Sequence, residues 1–428
     1  MNLEKIINSS KRFLRTSLLV SAFTVNPFLT DNVQSQDLES KVAAVSAENA
    51  PELEWDKTFG GFEPDWASSV QQTFDGGYIL AGYTKSFGAG SSDFWLIKTD
   101  SNGNMEWDKT FGGSELDWAS SVQQTSDGGY ILTGSTQSFG SGASDIWLIK
   151  TDQNGYLVWD ETFGGPGYDF ASSVQQTSDD GYIIAGWTYS YGAGYNDSCD
   201  FWLIKTDSNG SHEWNKTIGG SKIDFASSVQ QTFDGGYILA GSAQSFGAGS
   251  SDCWLVKTDP NGDKEWDKTF GGAEPDEASS VQQTFDGGYI LAGYTKSFGA
   301  GYNDFWLIKT DPNGNKEWDK TFGRAGEEQA YSVQQTSDGG YIVAGWTYSI
   351  GAGFNDFWLI KTDQNGNKEW DNTFGGIRYD FASSVQQTSD GGYIIAGGTQ
   401  SFGAGSSDYG AGSSDTWLIK TDSNGNRE

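Results

Sequence analysis

The chain has 428 residues, 15% of them aromatic with 18 Trp, so it is too rich in core-forming side chains to be an acidic disordered polymer. Its formal net charge of −31 repels phosphate backbones and anionic lipid surfaces, which argues against nucleic-acid and membrane-surface partners. Two cysteines, Cys199 and Cys253, cannot form a disulfide framework, and a single histidine, His212, rules out a His-rich metal centre.

The first 35 residues differ from all that follow. Lys5, Lys11, Arg12 and Arg15 precede an apolar stretch from Ser17 to Leu29, and small residues occur near Ser35. This is the build of a cleaved secretory signal, and the stretch, interrupted by Asn26 and Pro27, is shorter than a bilayer-spanning helix requires. Residues 36–53 read as a polar, Ala-rich linker. The expected location is secreted, periplasmic or cell surface, without membrane insertion once the signal is removed.

From residue 54 to 428 one unit repeats. Trp55, Trp107, Trp159, Trp214, Trp266, Trp318 and Trp370 recur every 52 residues, or 55 in the third unit, which carries an insertion around Tyr195 to Cys199. The last unit duplicates its Gly-rich loop, first as Gly403 to Asp408 and again as Gly410 to Asp415. In the first complete unit, strands are expected at Ser68–Thr73, Tyr78–Thr84, Phe94–Thr99 and Glu106–Phe111. The turns Asp75-Gly76-Gly77 and Asn102-Gly103 are strong hairpin signals, because glycine accepts positive φ. Third strands such as Phe94-Trp95-Leu96-Ile97 are apolar on both faces and must be covered on both.

Four-stranded units of this length build propellers. The repeats open with a lone fourth strand, Glu54 to Phe59, and end with a third strand, Thr416 to Thr421. The expected fold is therefore an all-β, seven-bladed β-propeller with four antiparallel strands per blade, whose N-terminal strand completes the last blade and leaves no open edge there.

The segment from Leu96 to Trp107, with its Asp100 to Asn104 turn, resembles the tryptophan-docking motif of pyrroloquinoline-quinone-type propellers. The whole unit is similar to tandem repeats of secreted or cell-surface bacterial and archaeal proteins. The resemblance implies that an Asp, a turn and a Trp lock neighbouring blades together. Quinone enzymes of that kind usually have eight blades, an adjacent-cysteine disulfide and a calcium site. Here the turn looks one residue shorter, the cysteines lie 54 positions apart, and no unit is specialised in that way.

The fourth-to-first and second-to-third connections emerge on one face, which makes it the candidate binding face. An acid stands at the entry to each first strand: Asp65, Asp117, Asp169, Asp224, Asp276, Glu328 and Asp380. An aromatic follows most of them, giving the candidate ligand-binding pairs Asp65–Trp66, Asp117–Trp118, Asp169–Phe170, Asp224–Phe225 and Asp380–Phe381. Units five and six break the pattern with Glu277 and Gln329. Aromatic faces stack on sugar C–H surfaces and carboxylates accept hydroxyl hydrogen bonds, so carbohydrate or a surface protein is the expected partner, and a monomer the expected state. The structural alternative is that the Asp caps backbone N–H groups while the aromatic fills the gap between blades.

A second set of acids precedes the third strands: Asp93, Asp145, Asp200, Asp252, Asp304, Asp356 and Asp415. Loop capping explains them, although paired with the first set they offer oxygens for Ca²⁺. No catalytic residue, resident metal or other cofactor is expected. Near-identical repeats argue against a differentiated acid/base pair, and the sole histidine lies beside a hairpin turn. The expected function is a non-catalytic binding or scaffold module, the alternative a propeller enzyme, either a glycoside hydrolase or a quinone-type oxidoreductase.

Overall fold

Each repeat alternates β-branched and aromatic residues with Gly-rich turns, and in the computed structural model these runs become 28 strands, numbered β1 to β28 in chain order. The structure describes residues 55–193, 198–404 and 413–426. The expected signal (1–35), the linker (36–53), most of the third-unit insertion (194–197) and part of the duplicated last loop (405–412) lie outside the described residues. The strands form seven four-stranded antiparallel sheets, each joined in the order of its chain except one. The protein is a seven-bladed β-propeller.

The first blade shows the pattern: β2 (Asp65–Gln72), β3 (Tyr78–Thr84), β4 (Asp93–Thr99) and β5 (Met105–Phe111). The inner strand starts three residues earlier than expected at Ser68, and the third and fourth strands each start one residue earlier. Pairing continues because a β-bulge between Ala67 and Ser69 keeps Asp65 opposite Thr84. Gly82 makes the bulge possible, since a Cβ there would sit 1.8 Å from the Trp66 carbonyl oxygen. The acids and aromatics named above thus lie inside strands rather than ahead of them.

β4 is buried along its whole length, as its two apolar faces require. One face of blade one packs Leu80, Trp95 and Ile97 against Ile394, Ala396 and Leu418 of blade seven. The other packs Ile79, Phe94 and Leu96 against Val122, Leu132 and Trp147 of blade two. The core is therefore seven sandwiched layers between blades, not one central mass. At the outer edge, Trp55 lies on the Asn102-Gly103 turn of the next blade. Gly103 has φ 74°, and a Cβ there would come within 2.5 Å of the indole, so conformation and contact both demand glycine. Trp107 on Gly155 and Trp370 on Gly425 repeat the arrangement at other boundaries.

Around the axis each inner strand has one unpaired edge. Ser and Gln side chains of the preceding blade satisfy it: the Val122 N–H donates to Ser69 Oγ (3.3 Å) and the Gln124 N–H to Gln71 Oε1 (2.6 Å). The ring closes with Val70 on Ser384 and Gln72 on Gln386. An exposed strand edge is thereby capped by side chains, and the constant S-V-Q-Q run is explained. These strands surround a channel of about 250 Å³ lined by Val and Gln of all seven blades.

The remaining sheet orders its strands β1–β28–β27–β26, with β1 Trp55–Phe59, β26 Asp380–Gln387, β27 Tyr393–Thr399 and β28 Asp415–Thr421. Trp55 pairs with Lys420 and Phe59 with Thr416, as expected from the split repeat. Asp56 accepts the Trp417 indole N–H at 2.8 Å, the same bond other blades make internally.

Candidate functional site: the loop-bearing face

The seven acids at the inner-strand entries are fully buried, and the hydrogen bonds around them show why. Asp65 Oδ2 accepts from the Gly61 N–H (2.8 Å) and the Ser86 hydroxyl (2.7 Å), tying the loop before β2 to the loop after β3. Asp117 accepts from Thr136 (2.5 Å), Ser138 (2.6 Å) and the Gly113 N–H (2.9 Å). Asp169, Asp224 and Asp380 hold the same place, and all of them carry the loops of this face. The carboxylates of the expected pairs are therefore set beneath the face, while the aromatics beside them are half-buried.

The second acid set is buried as well. Asp93 Oδ2 accepts from the Ala89 and Gly90 N–H groups at 2.9 and 3.2 Å. In Asp145, Asp200 and Asp356 the other oxygen has no hydrogen-bond partner. Burial raises the pKa of these three, and the carboxylates of Asp169, Asp224 and Asp380 add to the rise. As a cation cradle the donor set is poor, because the Asp145 oxygen packs directly against Gly164, where even a Cβ would clash. Among the described residues no three His, Cys, Asp or Glu converge.

The aromatic residues build two runs of rings that cross blade boundaries. In the first, Phe354 stacks on Tyr379 (4.9 Å, 14° between planes) and Tyr379 on Phe381 (6.1 Å, 4°); Phe381 then meets Trp66 at 5.7 Å and Trp346 at 5.6 Å. Trp66 also spans to blade seven, its indole N–H donating to Ser383 Oγ at 3.1 Å. In the second, Trp118 meets Phe170 at 5.7 Å, and Phe170 meets Tyr168 and Trp187 at 6.1 and 4.1 Å. Phe354, Tyr379 and Tyr168 are exposed at 47%, 40% and 50%, so both runs present ring surface to solvent. Phe225 occupies the same strand position in blade four, in neither run.

Between the two runs the ring of aromatics is interrupted by a polar cluster. Glu277 and Gln329 replace the aromatic, and Tyr331 replaces the usual Ser. Tyr331 donates to Gln329 Oε1 at 3.0 Å, and the Trp346 indole approaches the Tyr331 oxygen at 3.5 Å. Burial raises the pKa of Glu277, partly offset by a hydrogen bond from Tyr294 and by Lys296. Tyr294 is itself pushed up by burial and by the Glu277 charge.

Trp187, Tyr294 and Trp346 are not among the residues expected from sequence. They occupy the second-strand position directly across from Phe170, Glu277 and Gln329. A signal was available: down the repeats that column reads Tyr83, Ser135, Trp187, Ser242, Tyr294, Trp346 and Gly398, while the tyrosine at the start of the same strand never changes. Small partners accompany large ones in some blades, as where Gly398 leaves room for Trp66.

The fold and this face define a repeat propeller with one constant and one variable surface. No protein-family model and no curated protein matches the chain. Among solved structures it is similar to a protein of unknown function from Bacteroides caccae, with 14% identity over 69% of this chain and 90% of that one (TM-score 0.40). It is also similar to the WD40 domain of Neurospora crassa Pan2 (12%, 83% and 89%, TM-score 0.48). A third is Sqt1 from Chaetomium thermophilum (11%, 83% and 85%, TM-score 0.43).

Proposed function

We propose that the protein is a secreted or cell-surface propeller that binds carbohydrate on its loop-bearing face without catalysis. The observation that carries this reading is the pair of aromatic runs crossing blade boundaries. Stacked, part-exposed rings offer flat apolar platforms to the C–H faces of sugars, and they cost little conformational entropy to hold. The cluster of Glu277, Gln329 and Tyr331 supplies hydrogen-bonding groups beside those platforms. A surface protein with exposed aromatic or cationic side chains is the competing partner, and a monomer suffices for either.

The same geometry favours binding over chemistry. A glycosidase needs two carboxyl groups of unlike environment flanking the scissile bond. The carboxylates of the two acid sets are buried under the loops, and Glu277 is engaged by Tyr294. For the quinone alternative, Cys199 and Cys253 are separate buried thiols whose pKa burial raises. The reading uses no cofactor and no metal, so chelation should leave binding unchanged.

A glycan array tests it. Purified protein should bind a subset of glycans, and both Trp66→Ala and Trp118→Ala should lose that binding while keeping the wild-type melting temperature within a few degrees. Silence across a broad array would defeat the carbohydrate reading, and binding that survives both substitutions would move the site elsewhere.

A further inference from the structure

The third blade departs from the other six at one place on its outer strand. Elsewhere the buried third-strand Trp donates its indole N–H to an Asp of the fourth strand: Trp95 to Asp108 and Trp147 to Asp160 at 2.9 Å, and Trp254 to Asp267 and Trp306 to Asp319 at 3.0 Å. In blades four to six that Asp also pairs with a Lys three residues earlier, as in Lys264–Asp267 (3.0 Å) and Lys316–Asp319 (2.8 Å). Blade three keeps the positions and removes the charges. Trp202 donates to Asn215 Oδ1 at 3.3 Å, and the place of the Lys is taken by His212, the chain's one histidine, 2.9 Å from Asn215 Nδ2.

The proton positions follow from donor chemistry. An indole N–H can only donate, so the Asn215 atom facing it is the oxygen, and the atom facing His212 is the NH₂. His212 Nε2 must then accept, which leaves a neutral imidazole with its proton on Nδ1. Asn215 and His212 are exposed, and each retains one N–H not used by the other. The ion pair of the sister blades has become an uncharged pair of donors.

Beside this pair lies a cavity of about 340 Å³, between the outer strands of blades two and three. Phe163, Tyr191 and Trp202 supply its ring walls, and Thr162, His212 and Asn215 its polar side. Tyr191 packs on Trp202 at 5.3 Å and is fixed by donating its hydroxyl to the Gly164 carbonyl at 2.9 Å. The volume is near the lower end of small-molecule sites, enough for one ring and its substituents. N–H donors on the polar side repel a cation, and the field of a chain of net charge −31 disfavours an anion. Aromatic walls with neutral donors fit an uncharged ring that carries hydrogen-bond acceptors.

We propose that this cavity binds a single neutral pyranose residue, its C–H face on the aromatic walls and its hydroxyl oxygens accepting from Asn215 and His212. The site lies at the outer strands, walled in part by the Gly164 and Tyr191 loops, and none of its residues is shared with the aromatic runs. Two sites on one rigid ring would let a branched or repeated glycan engage both, with a gain in avidity.

The repeat supplies the test variant. His212→Lys with Asn215→Asp installs the Lys–Asp pair that blades four to six already accommodate, so the fold should persist; Asn215→Asp alone is the milder control. Glucose, galactose, mannose and N-acetylglucosamine are titrated one at a time against wild type and variants, followed by tryptophan fluorescence and saturation-transfer NMR. At least one sugar should bind wild type, weaken by about tenfold or more in the double variant (the scale of one lost ligand hydrogen bond), and be unaffected by Trp66→Ala. The proposal is overturned if none of the four binds, or if affinity is the same in wild type and the folded double variant. Loss of binding in Trp66→Ala with no change in the double variant would assign the sugar to the aromatic runs instead.

Discussion

On the face that carries the tight turns, nearly every blade repeats the same solution, whereas on the opposite face neighbouring blades differ. Lys98, almost fully buried, bonds Asp75 at 3.0 Å, Glu106 at 2.9 Å and the Thr99 carbonyl at 2.9 Å. Lys205, Lys257, Lys309 and Lys361 repeat this triad, and Lys150 keeps the Asp while Val158 replaces the Glu. Across the ring, the cross-strand pair Trp66–Tyr83 becomes Trp118–Ser135, Glu277–Tyr294 and Gln329–Trp346. Positions that close the ring meet the same constraint seven times and stay constant. The paired positions at the loop ends of the inner strands are not needed for closure, and their variation is the room in which binding can be built.

Deleting Trp55–Phe59 should break the comparison most severely, because the constant machinery is useless without the clasp. β28 would lose its partner, Trp417 its Asp56 acceptor and Gly103 its covering indole. The expected result is loss of cooperative thermal unfolding and association through the freed edge, seen by circular dichroism and size-exclusion chromatography. A cooperative transition near the wild-type temperature would show that closure contributes little.

Two tryptophans sharpen it next. Trp254 is wholly buried between blades, so Trp254→Ala should cost about 3–5 kcal/mol by denaturant unfolding. Trp118→Ala, on the variable face and half-buried, should cost about 1–2 kcal/mol. Equal costs would mean that the loop-face aromatics serve mainly as core.

The two faces should also respond to pH in opposite senses. At Asp127 and Asp338 burial alone would raise the pKa, but hydrogen bonds from Thr125 and Lys150, and from Lys361 and Thr336, bring it from 3.8 to about 2. Their stabilisation is complete above 3.8 and is lost as pH falls through about 2. At Asp145, Asp200 and Asp356 the pKa is raised, so their contribution is present below 3.8 and is lost as pH rises through the raised value. Asp127→Asn should therefore lower the melting temperature at pH 7 and much less so at pH 2. Asp145→Asn should hold or raise it at pH 7, since it removes a buried like charge and places a donor near Asp169. The reverse order would contradict the assignment.

The smallest effect concerns the one irregular turn. Asp180 stands where six blades have glycine and is the one non-glycine with positive φ (64°) among the described residues. Asp180→Gly should stabilise by less than about 1 kcal/mol, measured by chemical denaturation, because Asp tolerates that conformation better than most residues.

Much of the fold was legible because the repeat states its own constraints. Glycines at turn positions, the doubly apolar third strand and the split fourth strand each allowed one arrangement, and blade number and closure followed. The inner strand looked shorter than it is because the bulge at Ala67 and Ser69 breaks the alternation that marks a strand. The site was half legible. Pattern alone could not separate Asp65, which turns inward to hold loops, from Trp66, which lies across a blade boundary. Trp187 and Trp346 escaped notice because residues adjacent across a sheet are distant in the chain. His212 stood out as the sole histidine, but the cavity it shares with Asn215 depends on Phe163 and Tyr191 from other strands and loops.

The indole region of a ¹H–¹⁵N NMR spectrum tests the division of the two surfaces most directly, since the 18 Trp are spread over both. On addition of an array-positive oligosaccharide, the indole signals of Trp66, Trp118, Trp187 or Trp346 should shift while those of the docked Trp55, Trp107, Trp266 and Trp318 stay in place. Shifts confined to the docked tryptophans, or no shift at saturating ligand, would contradict the account.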